Sequence, residues 1–255
     1  MPEKINSNDT QAVTVKSGYG SMLESSFLTD AMNEECAGLE FSFDRIKIPS
    51  GGMTAFEVPS GDGENSELVK EIECVLLLSH PANAYYRDVY KGGSNPPDCG
   101  SFDGVTGSTG ASCATCLYNQ YGSGDGKSKA CKNRRMLYLL RENELFPLRL
   151  NLPTGSLRGF TKYVQLLLSR GKRPNQVVTR IGLRKASSSS SIEYSQAVFK
   201  FVRALTKEEQ ANIDRIAQQT REIASRLNVS HLTAADDADN PFVDPVTGEV
   251  LDPLK

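Results

Sequence analysis

The sequence predicts a mainly β domain of the α+β class, interrupted by one long insertion and closed by a C-terminal helix. Three observations predict it. Short apolar runs of β texture alternate with Gly, Pro and Ser clusters. Helical periodicity is found only after residue 150. Between them, residues 91–130 are rich in Gly, Ser, Asn and Asp and have almost no apolar periodicity.

Residues 1–38 are polar and rich in Ser, Asn and Asp, as expected of a flexible arm. Residues 39–48 (LEFSFDRIKI), 53–58 (MTAFEV) and 67–78 (ELVKEIECVLLL) read as strands. The insertion follows; a structureless stretch that long does not belong in a compact domain unless something pins it. Strand texture resumes at 135–141 (RMLYLLR) and 145–150 (LFPLRL). A helix is predicted from Thr154 to Ser169, where Leu157, Phe160, Val164, Leu167 and Leu168 share one face, Pro153 precedes and Gly171 follows. Strands at 176–185 and 192–202 flank the Ser187–Ser191 run, which reads as a hairpin loop. Thr206 and Glu209 form a capping box opening a second helix, with Ile213, Ile216, Ala217, Ile223, Ala224 and Leu227 as its apolar stripe. The domain is thus expected over 39–205 with its insertion at 91–131, the helix over 206–228 and an acidic, disordered tail over 229–255. A helix between the third and fourth strands is the order of an OB-like five-stranded Greek-key barrel.

At 255 residues and 38% hydrophobic the chain can bury a core. No apolar run approaches the roughly 20 residues that span a bilayer, and the amino terminus lacks the charged-then-apolar pattern of a secretory signal. The expectation is a soluble intracellular protein without a membrane role, in which thiols stay reduced and clustered cysteines point to metal.

Four of the six cysteines lie in or at the edge of the insertion: Cys99, Cys113, Cys116 and Cys131, spaced C-x13-C-x2-C-x14-C. The Cys113/Cys116 knuckle lets two thiolates grip one tetrahedral ion from a single turn. Binding energy would replace the missing apolar core of the loop. Four thiolates leave no open position, so the site is structural: Zn2+ is expected, with an iron–sulfur cluster as the rival. A redox pair would open a helix after a strand, a pattern absent here. Cys74 reads as core, and His80 as a turn residue at a strand end. Gly122-Ser-Gly-Asp-Gly126-Lys127-Ser128 imitates a phosphate-binding loop, but has three residues between its outer glycines where that motif needs four. Lys127 and Lys129 are left as plain cations. No catalytic motif is present, and two histidines leave little for acid–base chemistry, so no enzyme is expected.

The formal net charge of −2 conceals a strong asymmetry. Residues 1–126 carry 7 basic and 18 acidic side chains, residues 127–185 carry 15 and 2, and residues 186–255 carry 7 and 11. A basic block of that size between acidic flanks points to a polyanion-binding surface. Lys132, Arg134 and Arg135 run from the last cysteine into a strand that ends at Arg141. Alternation in 176–185 sets Arg180, Gly182 and Arg184 opposite Ile181 and Leu183. Aromatics accompany the block: Tyr85, Tyr86 and Tyr90 before the insertion, Tyr118 and Tyr121 beside the knuckle, and Tyr138. Cations that track a backbone, with rings on which bases stack, make a single-strand-binding surface. On this reading Lys132, Arg134, Arg135, Arg141, Arg180 and Arg184 meet phosphates, while Tyr85, Tyr86 and Tyr118 stack on bases.

Phe43-Asp-Arg-Ile-Lys-Ile-Pro-Ser-Gly-Gly, His80-Pro-Ala-Asn-Ala-Tyr, Asn95-Pro-Pro-Asp-Cys99, the knuckle and Gly126-Lys-Ser-Lys-Ala-Cys131-Lys-Asn-Arg-Arg resemble phage and prophage zinc-containing OB-fold single-stranded-DNA-binding proteins. The resemblance covers roughly residues 40–205. It implies a non-catalytic protein that coats single-stranded DNA in phage replication, recombination or repair in the bacterial host cytoplasm, with zinc held by thiolates. The tail is similar in composition to those that recruit replication or recombination proteins. It ends in Leu-Asp-Pro-Leu-Lys and not in an acidic-aromatic tip. A metal-dependent nuclease or other nucleic-acid-processing enzyme, and a protein-interaction adaptor, are the alternatives.

Overall fold

The computed structural model describes residues 18–19, 30, 33–35, 39, 42–49, 51–60, 65–88, 97–124, 128–144, 146–187, 193–226, 242–243 and 250–251. In chain order its elements are β1 (Arg45–Ile46), β2 (Phe56–Pro59), β3 (Ser66–Val69), β4 (Glu71–Tyr85), β5 (Cys99–Ser101), β6 (Lys132–Arg141), β7 (Leu148–Leu152), α1 (Thr154–Ser169), β8 (Val177–Ser187), β9 (Glu193–Ala204), α2 (Lys207–Arg226), β10 (Phe242–Val243) and β11 (Val250–Leu251).

The protein is mainly β with a few helices, an α+β fold built on one curled sheet. Its strands run β1-β7-β6-β4-β8-β9, with β5 on β4. All of these pairs are antiparallel except β1 on β7, which is parallel. β2 and β3 form a separate hairpin, and β10 pairs with β11.

Both faces of the sheet are buried. On one, Leu76, Leu137, Leu139, Leu150 and Ile181 meet Phe160, Tyr163 and Leu167 of α1, and Phe56 and Val58 of the hairpin. On the other, Val75, Leu77, Met136, Tyr138 and Val178 meet Ile213, Ile216 and Ala217 of α2, together with Tyr19 and Phe43. Strands covered on both sides read as unbroken apolar runs, which is why CVLLL and MLYLL lack alternation.

β4 organises the sheet. The sequence reading ends this strand at Leu78 and puts His80 in a turn; the structure carries the strand through to Tyr85. A register shift between Leu76 and Leu78 lets Leu77 join Val75 on the α2 face, after which even-numbered residues take that face. Pro81 lies mid-strand, paired with Arg135. It is tolerated because β8 covers the opposite edge of β4 only at Glu71–Val75 and β5 only at Asn83–Tyr85.

The helices follow their sequence signals. α1 has the expected bounds, with Pro153 before it. It ends where the Lys172 amide returns to the Leu167 carbonyl (3.0 Å) across Gly171 at φ +67°. Ser156 Oγ accepts the Ala197 amide (2.9 Å), and Thr154 Oγ1 donates to the Asn133 carbonyl (2.9 Å), fixing α1 to β9 and β6. At α2 the capping box is complete: the Glu209 amide donates to Thr206 Oγ1 (3.2 Å) and the Thr206 amide to Glu209 Oε2 (2.8 Å). Leu227 of its expected stripe lies outside the described residues.

Arg203 donates two 2.8 Å bonds to Glu209 and lies 5.7 Å over the Tyr19 ring. Tyr19, inside the arm expected to be free, is therefore a core residue. Within the tail expected to be disordered, Phe242–Val243 and Val250–Leu251 pair as strands. Among the described residues no helix is long and apolar enough to cross a membrane.

The Arg203 guanidinium holds the Glu209 carboxyl down at about 2, below its unfolded value. Its contribution is therefore present above about pH 4.3 and is lost as pH falls toward 2. Glu209→Gln is expected to cost on the order of 1 kcal/mol at pH 7 for this partly exposed pair. The difference from wild type should shrink on acidification through that window in urea titrations, and a gap unchanged at pH 3 would refute the linkage.

Candidate metal centre and nucleic-acid interface

The insertion joins β4 to β6 and is organised by backbone. Tyr85 pairs with Cys99, which returns the chain alongside β4. Asp103 Oδ1 then accepts the Val105 amide (2.7 Å), the Thr106 amide (2.9 Å) and the Ser101 hydroxyl (2.8 Å); these bonds hold its carboxyl below the usual range. The Cys113 amide reaches the Val105 carbonyl (2.8 Å), and a 3-10 turn at Leu117–Asn119 follows the knuckle. Asn119 Nδ2 donates to the Cys113 carbonyl (2.7 Å), and the Cys131 amide to the Tyr118 carbonyl (2.8 Å). Gly107 approaches the site closely: a Cβ there would stand 2.9 Å from Cys99 Sγ, which would have to shift.

These bonds order the segment that carries Cys99, Cys113, Cys116 and Cys131. The Cys131 thiol is pushed up to about 12, first by burial and then by the charges of Cys113, Cys116 and Cys99. Cys113 and Cys131 are buried, and Cys99 and Cys116 half-buried. Among the described residues no group of three or more His, Cys, Asp or Glu side chains is already arranged to hold a metal ion. The four cysteines are soft donors carried by one loop and not a formed coordination shell. Donor type and number fit a tetrahedral thiophilic ion, which these four cysteines would hold and which would cross-link the loop. Cys74 is separate, fully buried in the α1-side core, and its thiol is pushed far up by that burial.

His80 is no part of this cluster. Its Nδ1–H donates to the Pro81 carbonyl (3.0 Å), and its ring lies between Phe102 and Tyr138, at 5.5 and 5.7 Å. Burial lowers its pKa, so it stays neutral near pH 7. In the glycine-rich imitation of a phosphate loop, the amides of Gly122 and Gly124 both point to the Ser128 carbonyl (3.0 Å each) and so are not directed at an anion.

The arginines and tyrosines are sorted by strand alternation. Asn133 and Arg135 take the α1 face of β6, while Lys132 and Arg134 take the face of Met136 and Tyr138. Arg134 is only 4% exposed and donates to the Tyr86 hydroxyl (3.4 Å), a structural pairing for two residues expected to touch nucleic acid. Arg135 Nε donates to Ser79 Oγ (3.1 Å) and its guanidinium lies 5.6 Å over Phe160. Arg141 binds Glu144 (2.7 Å), and Arg184 binds Gln196 (2.8 Å). Arg180 binds Glu73 (2.9 Å), with Glu71 3.6 Å away. The cationic strip expected on β8 is thus partly neutralised by β4, whose Glu73 stands opposite Arg180 in register.

Tyr85 and Tyr118 come together: their rings stack at 4.1 Å and 17°. Tyr90 lies outside the described residues. Sequence reasoning missed the polar pair beside this stack, Asn133 Nδ2 donating to Asn83 Oδ1 (2.8 Å). The repeated asparagines were visible, but only the β4–β6 register makes them partners.

The chain matches no family model, and no curated protein or solved structure matches it.

Proposed function

We propose that the protein is a non-catalytic single-stranded-DNA-binding protein of OB-like architecture, with zinc held by Cys99, Cys113, Cys116 and Cys131, serving phage or prophage replication, recombination or repair. One observation carries the reading. Counting β4, β6, β7, β8 and β9 as strands one to five, the sheet runs three-two-one-four-five, with α1 between three and four. That is the order of an OB barrel opened between its third and fifth strands. The cysteine loop then occupies the first-to-second-strand connection, one of the two loops with which OB folds bind oligonucleotides. The Tyr85/Tyr118 stack stands at its base. The resemblance over residues 40–205 points the same way.

The test is a fluorescence-anisotropy titration against single-stranded DNA, single-stranded RNA and duplex. Single-stranded DNA is expected to bind tightest, with affinity falling with salt at a log–log slope of about −0.7 per phosphate neutralised. Absence of binding at low salt would overturn the reading. Cleavage of the oligonucleotide in Mg2+, abolished by chelation, would replace it with the nuclease.

A further inference from the structure

The segment after the knuckle exposes large side chains. Leu117 is 81% exposed, Tyr118 47% and Tyr121 51%, three large side chains within five residues. Exposed tyrosine rings on a polar loop are available for contact with a flat, unsaturated ligand. Tyr118 has a ring partner in Tyr85. Tyr121 is engaged differently: Lys129 Nζ stands 4.8 Å over its ring, and the same ammonium donates to Asn119 Oδ1 (3.4 Å).

We propose that Tyr121 and Lys129 form a second base-binding station beside the Tyr85/Tyr118 stack. Tyr121 stacks on one base of a single strand, and Lys129 meets an adjoining phosphate. The inference rests on the nucleic-acid reading above and adds two binding residues to it.

Chemistry and rigidity both support the station. A tyrosine ring with a cation already held against it offers an aromatic surface and a positive charge within one reach, which are the two needs of a nucleotide in a single strand. Duplex bases, stacked on one another, cannot use the ring. The backbone beneath is fixed: Ser123 Oγ donates to the Gln120 carbonyl (2.7 Å) and accepts the Ala130 amide (3.1 Å), and the Gly122 amide reaches the Ser128 carbonyl (3.0 Å). Cys116 and Cys131 bracket the station, so a metal held by the thiols would keep it in place.

The experiment uses the full chain loaded with zinc and a single-stranded oligothymidylate. Tyr121→Ala is expected to weaken binding about tenfold, and Tyr121→Phe to restore it, since the ring and not the hydroxyl does the stacking. Lys129→Gln should reduce the salt slope by about 0.7. Zinc content should be unchanged in all three variants. Wild-type-like affinity of Tyr121→Ala, where wild type binds, would overturn the station and leave the proposed function standing. Affinity lost together with zinc, or not rescued by phenylalanine, would also overturn it, by showing a structural role. A wild-type chain that binds no single strand would remove the proposed function itself.

Discussion

Cys131→Ser is expected to reduce bound zinc from about one ion per chain to nearly none, and to weaken single-strand binding at least tenfold. The thiol is buried, and serine would remove one of the four proposed ligands and leave a poor donor in its place. Apparent binding energies of structural zinc are on the order of 10 kcal/mol, so losing one ligand should empty the site under ordinary purification. The Cys131 amide, held by the Tyr118 carbonyl, is untouched by the substitution. Any loss therefore reports on the thiol and not on the local backbone. Cys74→Ala is the control: that thiol lies in the α1-side core, and its removal should cost stability of about 1–2 kcal/mol while leaving metal content alone. Elemental analysis with a visible spectrum decides between zinc, which is colourless, and an iron–sulfur cluster. A wild-type chain free of both metals, or a serine variant with full occupancy, would sink the prediction.

Tyr118→Ala should weaken single-strand binding by about tenfold or more, since stacking of one base is worth about 1–3 kcal/mol. Tyr85→Ala should do nearly the same. The two rings are in face-to-face contact, so the double variant should lose less than the sum of the single losses. Tyr118→Phe should bind like wild type. Arg180→Ala provides the contrast: its guanidinium is already occupied by Glu73 and Glu71, and its removal should change affinity less than twofold. Competition titrations at fixed salt give all five affinities. The reverse ranking, with Arg180 dominant and both tyrosines silent, would move the interface from the cysteine loop to β8.

What the sequence discloses here is what is local. The bounds of α1 follow from Pro153, the Phe160/Leu167 spacing and Gly171; the start of α2 follows from Thr206 and Glu209. The strand–helix–strand order was also visible, but the order of strands within the sheet comes only from their pairing. The rest depends on which distant strand lies alongside. Nothing near Arg180 announces Glu73, since only the pairing of β4 with β8 joins them. Arg134 looks like a surface cation in Lys-Asn-Arg-Arg, yet the Met136/Tyr138 parity of its strand turns it inward to Tyr86. β4 outruns its expected end because the edge of Pro81 that lacks a donor is an edge that no strand covers. Tyr19 sits in a polar arm, and its burial comes from core residues and from Arg203 far along the chain.

The pairing of β4 with β6 also bears on how the chain assembles. Ala84 and Lys132 are neighbours in the sheet, yet everything from Tyr85 to Cys131 lies between them in the chain. Joining the ends of so long a segment carries an entropic cost of about 3 kcal/mol by loop-closure scaling, before the first β4–β6 hydrogen bond returns anything. An ion captured early by the four thiols would divide that search into short steps, Cys99 to Cys113, across the knuckle, and Cys116 to Cys131. The central strand pair would then form from ends already brought near one another. If the four thiols hold an ion, its binding would thus ease the closing of the sheet as well as stabilise one loop of the finished protein.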